Sequence, residues 1–546
     1  MIWQFLNKRQ LEGIIGEQSF DRFETLVPIL LGEDHDPTEL FRKENLIKLF
    51  NAFAPSDILS DKKFMFTLLN QLPKEKLQDL CKTLGYYDEN KTFDESISQL
   101  VFLGWQKEEF CRDFLKWAHL PDHFMPVKRA DYPTCEFLTP IMKPFKSLMD
   151  YQYSVFSSSM IELTKPRSRF VIQMPTGSGK TRTSMEIVTQ QIKNIGNNGI
   201  ILWLAHSQEL CEQSLECFKD VWVHVADRPI YLYRCWGRNS TLPYESNHTS
   251  FIVASFQGLY SLLRRNRVPF NEIKERVKLI VVDEAHKVIA PTYKEVTKAL
   301  MGSDTQVIGL TATPGRSSSE LEENEELASF FFKRIISITP PEAKSVIEWL
   351  REKQILAKIS LEPLLTNRTY ELTAKERKNL ETLYDLPSGF LINLGKDDLR
   401  NLEIIKRIDI ELKSSSRILF FACSVDHSKF ICSVLLYLGY YAAHIDGDTP
   451  VHMRKKIIDD FRSGNIRVLC NYGVLSTGFD APQTDVVFIS RPTASLVLYS
   501  QMIGRGIRGP AIGGTDKCKI IDVRDNIIGF PDQDLLYEYF EDYWSE

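Results

Sequence analysis

Short runs of β-branched and aliphatic residues recur between residues 169 and 313: "RFVIQM", "GIILWLAH", "FIVASF", "KLIVVDEAH" and "QVIGLTAT". They are apolar continuously rather than alternately, and amphipathic stretches separate them. A strand that is apolar on both faces must be covered on both faces, which a parallel sheet between two helical layers achieves. The chain is thereby held to an α/β fold. A second series, "RILFFACS", "YYAAHIDG", "IRVLCNY", "DVVFISR" and "CKIIDV", begins near residue 417 and predicts a second lobe of the same kind. With 546 residues the chain is too long for one core.

Ahead of both lobes the texture is helical. "TELFRKENLIKLFNAF" sets Leu40, Phe41, Leu46, Ile47, Leu49 and Phe50 largely on one face, and "KEKLQDLCKTLGYY" repeats the style before a stop at Gly85. Pro37 and Pro73 stand where helices are expected to start. The organisation read from the sequence is a helical accessory domain over 1–130, able to form an independent bundle, and a first lobe over 131–330. A connecting helical region over 331–400, a second lobe over 401–530 and an acidic, aromatic tail over 531–546 follow.

The first apolar run leads into Pro175-Thr176-Gly177-Ser178-Gly179-Lys180-Thr181. The strict phosphate-loop pattern wants glycine six residues before the lysine, and Met174 stands there. The useful half survives. Gly177 and Gly179 let backbone N–H groups turn onto an anion at a helix start, with Ser178 between them. Lys180 can reach the outer phosphates of a nucleotide, and the Thr181 hydroxyl can ligate Mg²⁺.

A phosphate loop needs an acidic partner at the end of a nearby strand, and "LIVVDEAH" supplies one. Asp283 is placed to hold Mg²⁺ through water, and Glu284 to orient and deprotonate the attacking water. Phosphoryl transfer also wants positive charge on the transferring oxygens, and "YSQMIGRGIRGP" offers Gln501, Arg505 and Arg508, the arginines on one helical face.

Bulk properties narrow the partners. The formal net charge is −5, so nucleic acid would have to meet a local groove rather than a general basic field. The 10 cysteines stand singly without a CxxC pair, which fits thiols in a reducing cytosol rather than a disulfide framework or zinc module. No run approaches the ~20 apolar residues that span a bilayer, and "MIWQFLNKRQLEGIIG" does not read as a signal peptide. A soluble, cytoplasmic protein is expected.

In order along 135–530, these and other short motifs resemble those of superfamily 2 helicases and translocases. "LMDYQ" (Tyr151, Gln152) is similar to the motif that reads adenine, and "MPTGSGKT" to motif I. "LAHSQEL" (His206, Ser207, Gln208) and "VASFQ" (Ser255, Gln257) resemble strand-binding motifs. "VVDEAH" with His286 matches motif II, and "LTATP" (Thr311, Thr313) motif III. "LFFACSVDHS" (Ser424), "LSTGFDAP" (Thr477, Gly478, Asp480) and "QMIGRGIR" match motifs IV, V and VI. The stretch from "IDGDTP" (Thr449) onward is similar to the RadD and type III restriction-helicase branch, without the cysteine-rich zinc region of RadD-type proteins.

The resemblance implies two tandem RecA-like lobes with ATP and Mg²⁺ between them. It implies ATP contacts from Gln152, Thr176–Thr181, Asp283, Gly478 and Asp480, and strand contacts from His206, Ser207, Gln208, Ser255, Gln257, Ser424, Thr449 and Thr477. His286, Thr311 and Thr313 would couple the two sites. The implied activity is an ATP-dependent helicase or translocase, on DNA in preference to RNA and largely independent of sequence, in DNA repair or anti-phage defence. A protein partner would bind through 1–130. An RNA helicase, or an ATP-driven switch that signals without unwinding, is the alternative.

Overall fold

The computed structural model describes residues 2–530 apart from short stretches, the longest being 32–41, 125–132, 313–320, 378–385 and 475–482. The first sheet is built from β1 (Cys135–Leu138), β2 (Arg169–Gln173), β3 (Ile200–Ala205), β4 (Ile230–Trp236), β5 (Asn239–Ser240), β6 (Ser250–Ser255), β7 (Val277–Asp283), β8 (Gln306–Thr311) and β9 (Ile335–Ser337). Their order is β1-β4-β6-β3-β7-β8-β2-β9, with β5 on the side of β4. Only β1 and β5 run antiparallel to their neighbour; the other pairings are parallel. Every residue of β3 and of β6 is buried, as strands covered on both faces must be.

The second sheet holds β10 (Lys358–Glu371), β11 (Ile418–Phe421), β12 (Ala442–Ile445), β13 (Val468–Asn471), β14 (Val486–Ile489) and β15 (Lys517–Ile528), in the order β10-β15-β14-β11-β13-β12. All its pairings are parallel. The chain is thus a tandem of two RecA-like lobes with a helical region in front. The apolar runs read from the sequence form β2, β3, β6, β7 and β8 in the first lobe and β11 to β15 in the second.

The fold differs from the sequence expectation in two places. Residues 331–400 hold the Val346–Glu352 and Ser388–Gly395 helices but are not helical alone. They contain β9, which closes the edge of the first sheet, and the 14-residue β10, which forms an edge of the second. Pro363 and a break in register between Leu365 and Thr369 interrupt the alternation in β10, and an edge strand tolerates both. Most of the charged stretch "TAKERKNLETLYDL" lies outside the described residues.

The second correction concerns the N-terminal helices, which run from Lys8–Ile15 to Glu108–Ala118. They form a core of their own around Trp3, whose ring lies 4.9 Å from Phe50 and 5.5 Å from Phe124. Pro73 opens the Lys74–Thr83 helix, and Gly85 follows it with φ +74°, a left-handed stop that glycine adopts without a Cβ clash. The bundle is not independent, however. Its apolar core continues without a break into the Asp398–Lys413 and Val425–Tyr437 helices of the second lobe. Helical periodicity tells which face is buried but not what buries it.

Candidate active site

At the C-terminal edge of the first sheet, β2 runs into the loop 174–179 and then the Lys180–Asn194 helix. Gly177 and Gly179 both have φ +85°, and Gly179 caps the helix in the left-handed conformation. A Cβ on Gly179 would overlap Gln152 Nε2, and the left-handed backbone would strain any side chain there. The Ser178 carbonyl accepts from Tyr151 Oη at 2.7 Å and from Gln152 Nε2 at 3.2 Å, while Gln152 Oε1 accepts from Met149 N at 3.0 Å. Tyr151 and Gln152, expected at adenine, are thus bonded to the phosphate loop. The Lys180 ammonium has no hydrogen bond or ion pair among the described residues, although its carbonyl accepts from Ser184 Oγ at 2.9 Å, and Thr176 and Thr181 are half-buried beside it.

Asp283 ends β7, buried, and Thr311 ends β8. Because β8 lies between β7 and β2, the register sets Asp283 beside Leu310 and Thr311 beside Gln173. Met174 N donates to the Thr311 carbonyl at 3.1 Å, so the base of the phosphate loop is tied to this strand end. Glu284 follows with φ +55°, rare for a residue with a Cβ and costing on the order of 1–3 kcal/mol. Its own N–H donates to Asp283 Oδ1 at 3.0 Å. The kink turns the two neighbouring carboxylates apart: Asp283 stays at the sheet edge and Glu284 points toward the second lobe.

There Glu284 Oε1 accepts from Gln501 Nε2 at 3.1 Å. Gln501 lies on the Leu496–Ile503 helix, and the helix end touches the phosphate loop directly. A Cβ on Gly504 would overlap the Thr176 methyl and lie 2.7 Å from Thr176 Cβ. Gly177 faces Leu356, Ile507 and Arg508, which a Cβ there would meet at 3.3, 3.8 and 3.9 Å. Arg508 is held by a bridge between its backbone and that of Leu356. The structure thus brings Thr176, Gly177, Glu284, Gln501 and Arg508 into one cleft between the lobes. The close approach of Gly504 was not read from the sequence; the glycine repeat in "IGRGIRG" was its signal. The pairing of donor set and chemistry fits Mg²⁺ and a nucleotide: an amide-lined loop under two positive-φ glycines, a lysine without an ion pair, a hydroxyl at Thr181 and a buried carboxylate at Asp283.

The described residues expected along a nucleic-acid strand lie at the ends of other β-strands or in the turns and helix starts that follow them. Ser255 ends β6 and its Oγ accepts from Gly258 N at 3.0 Å. Ser424 caps the Val425–Tyr437 helix, accepting from His427 N at 3.1 Å. In both, the oxygen serves as acceptor and the hydroxyl hydrogen stays available as a donor. Thr449 is bound closely to Asp446, its N–H and Oγ1 each donating to Asp446 Oδ1 at 2.8 Å and its Oγ1 accepting from Asp446 N at 2.9 Å. A hydrogen bond from His444, with others from Thr449, holds the Asp446 carboxyl well below the usual carboxylate range against the opposing effect of burial. His206 follows β3, half-buried, and Gln208 and Gln257 are exposed. Ser207, His286, Thr313, Thr477, Gly478, Asp480 and Arg505 lie outside the described residues.

Comparison with known proteins agrees in order and extent. Residues 145–316 match the family of the type III restriction enzyme res subunit, and residues 400–509 match the helicase conserved C-terminal domain. A 51.5 kDa protein of a Lactococcus phage is 28% identical over 386 residues, covering 69% of this chain and 71% of that one. The putative ATP-dependent helicase IRC3 of Saccharomyces cerevisiae is 26% identical over 390 residues, covering 69% of this chain; the chain spans about half, 51%, of that relative's length. Among solved structures, the Hef helicase domain of Pyrococcus furiosus superposes with a TM-score of 0.43 and 19% identity, over 72% of this chain and 97% of that one. With both family matches falling in sequence on the two lobes, and the phosphate loop, acid pair and Gln501 helix meeting in the cleft between them, the chain belongs to superfamily 2 of the helicases, in the branch of the type III restriction enzymes.

Proposed function

We propose that this protein is an ATP-driven motor on DNA, hydrolysing ATP between its lobes and moving along a strand with each closure. The observation that carries the reading is the hydrogen bond from Gln501 in the second lobe to Glu284 in the first. A base held by a residue of the other lobe is correctly aimed only when the cleft is closed, which couples hydrolysis to lobe movement.

In this reading the amides of 177–180 and Lys180 hold the outer phosphates, and Thr181 and Asp283 hold Mg²⁺, which neutralises phosphate charge when bound. Glu284 takes a proton from water as the water oxygen bonds to the terminal phosphorus and the bond to ADP breaks. Arg505 and Arg508 balance the charge that gathers on the transferring oxygens. His206, Ser207, Gln208, Ser255, Gln257, Ser424, Thr449 and Thr477 meet the backbone of a single strand, which gives little base preference and a steep dependence on salt. His286, Thr311 and Thr313 connect the two sites. DNA repair or anti-phage defence is the setting proposed, since both the phage relative and the restriction-enzyme family lie near this chain.

The test is the rate of ATP hydrolysis with single-stranded, duplex and forked DNA and with RNA, side by side. Stimulation by DNA above that by RNA supports the reading. Stimulation by RNA alone overturns the choice of DNA, and no stimulation by any of them overturns the motor.

A further inference from the structure

The N-terminal helices touch the second lobe at a point that leads straight to one of the strand-binding candidates. Arg22, on the Glu17–Leu31 helix, donates from Nε to Asp398 Oδ1 at 2.7 Å and from Nη2 to the Gly395 carbonyl at 3.3 Å. Its guanidinium lies 3.7 Å above the Phe430 ring, and Phe23 meets the same ring edge-on at 5.3 Å. Planar stacking combined with directed N–H bonds is a use only arginine serves, since lysine offers a point charge.

Gly395 is the next link. Asn401 Nδ2 donates to the same carbonyl at 2.9 Å, and a Cβ on Gly395 would stand 2.8 Å from His427 Cβ, so this backbone is pressed against His427 with no space to spare. His427 is buried; its Nδ1 accepts from Cys423 N at 3.1 Å and its own N–H donates to Ser424 Oγ. From Arg22 to the Ser424 hydroxyl there is thus a continuous line of contacts, Arg22–Gly395–His427–Ser424, through closely packed groups.

We propose that Arg22 is a positioning residue for strand binding, through which the N-terminal helices fix the Ser424 hydroxyl and set the affinity of the second lobe for nucleic acid. The proposal rests on the reading that Ser424 meets the strand. It makes the N-terminal domain a working part of the second lobe, so that a protein bound to it acts on strand affinity rather than on the ATP cleft.

The test compares the full-length protein with Arg22→Ala, Asp398→Asn and the exchanged pair Arg22→Asp with Asp398→Arg. Binding of labelled single-stranded DNA and the DNA concentration at half-maximal ATPase stimulation are measured together with the basal and saturated ATPase rates. Arg22→Ala is expected to raise both the dissociation constant and the half-saturating concentration about three- to tenfold, with basal and saturated rates within twofold. Asp398→Asn gives a smaller shift in the same direction because the stack on Phe430 remains, and it serves alone if Arg22→Ala does not fold. The exchanged pair recovers part of the affinity. Wild-type binding that none of these variants changes overturns the proposal and leaves the motor intact. Loss of the saturated rate with unchanged affinity also overturns it, since that places Arg22 on the hydrolysis path. A wild-type protein that binds no nucleic acid overturns both readings.

Discussion

Gly504→Ala tests the closed cleft most sharply. The new methyl would overlap the Thr176 methyl and lie 2.7 Å from Thr176 Cβ and 2.9 Å from the Ser500 carbonyl. Rotating Thr176 about χ1 moves its methyl but not its Cβ, and a β-branched residue in a tight loop has little rotamer choice. Carbon atoms settle at about 3.5–4.0 Å, so the helix end must back away from the phosphate loop by about 1 Å. Gln501 rides on that helix, and its 3.1 Å bond to Glu284 opens by a similar amount. Misplacement of about 1 Å can cost about 100-fold in rate. We therefore expect single-turnover hydrolysis to fall about 100-fold while ATP affinity, set mainly by the first lobe, changes less than about tenfold. Fluorescent-nucleotide titration and quenched-flow hydrolysis measure the two separately, and a thermal melt shows whether the fold is kept. Thr176→Ser, which deletes the overlapping methyl, should restore part of the lost rate in the Gly504→Ala background. Hydrolysis within threefold of wild type would refute the contact between the lobes as a catalytic requirement.

Other expectations follow from the same geometry. Glu284→Gln keeps the side-chain shape and removes the base, so ATP should bind normally while turnover drops about 10²–10⁴-fold; steady-state turnover near wild type contradicts the role of Glu284. Lys180→Ala should weaken ATP binding itself, read by the same titration, because it deletes the charge set against the phosphates. Burial pushes the Asp522 carboxyl up to about 8, with neighbouring Arg524 and Arg400 opposing. An acid protonated in the fold but ionised when unfolded costs stability progressively as pH rises from about 4 to about 8. Asp522→Asn should therefore gain melting temperature relative to wild type across that window, and a constant difference contradicts it. A chain starting near Asp131 uncovers the apolar faces of the Asp398–Lys413 and Val425–Tyr437 helices. It should melt lower and self-associate, which light scattering checks.

Much of the site was legible because its chemistry is local in sequence. Two glycines, a lysine and a threonine after an apolar strand, and an acid pair after another, each state their task within a few residues. The strands that were legible are those buried on both faces, whose composition is decided by burial alone. What stayed hidden depends on distant partners. β10 is an edge strand with an exposed side and Pro363 inside, so neither alternation nor a continuous apolar run marks it. The left-handed φ of Glu284 leaves no trace, since glutamate is an ordinary residue before its neighbours constrain it. Arg22 reads as a solvated charge on an amphipathic helix; only the fold sets Phe430, Asp398 and Gly395 around it.

A motor whose hydrolysis in the cleft moves it along a strand displaces what lies ahead of it, and strand displacement measures this directly. A forked DNA with a labelled strand, or a triplex-forming strand ahead of the motor on duplex DNA, is mixed with the wild-type protein and with Glu284→Gln, each with and without ATP. Release of the labelled strand is expected from wild type with ATP and from none of the other three. ATP hydrolysis stimulated by DNA but with no strand released from any of these substrates would contradict it, and would leave a switch that closes without moving.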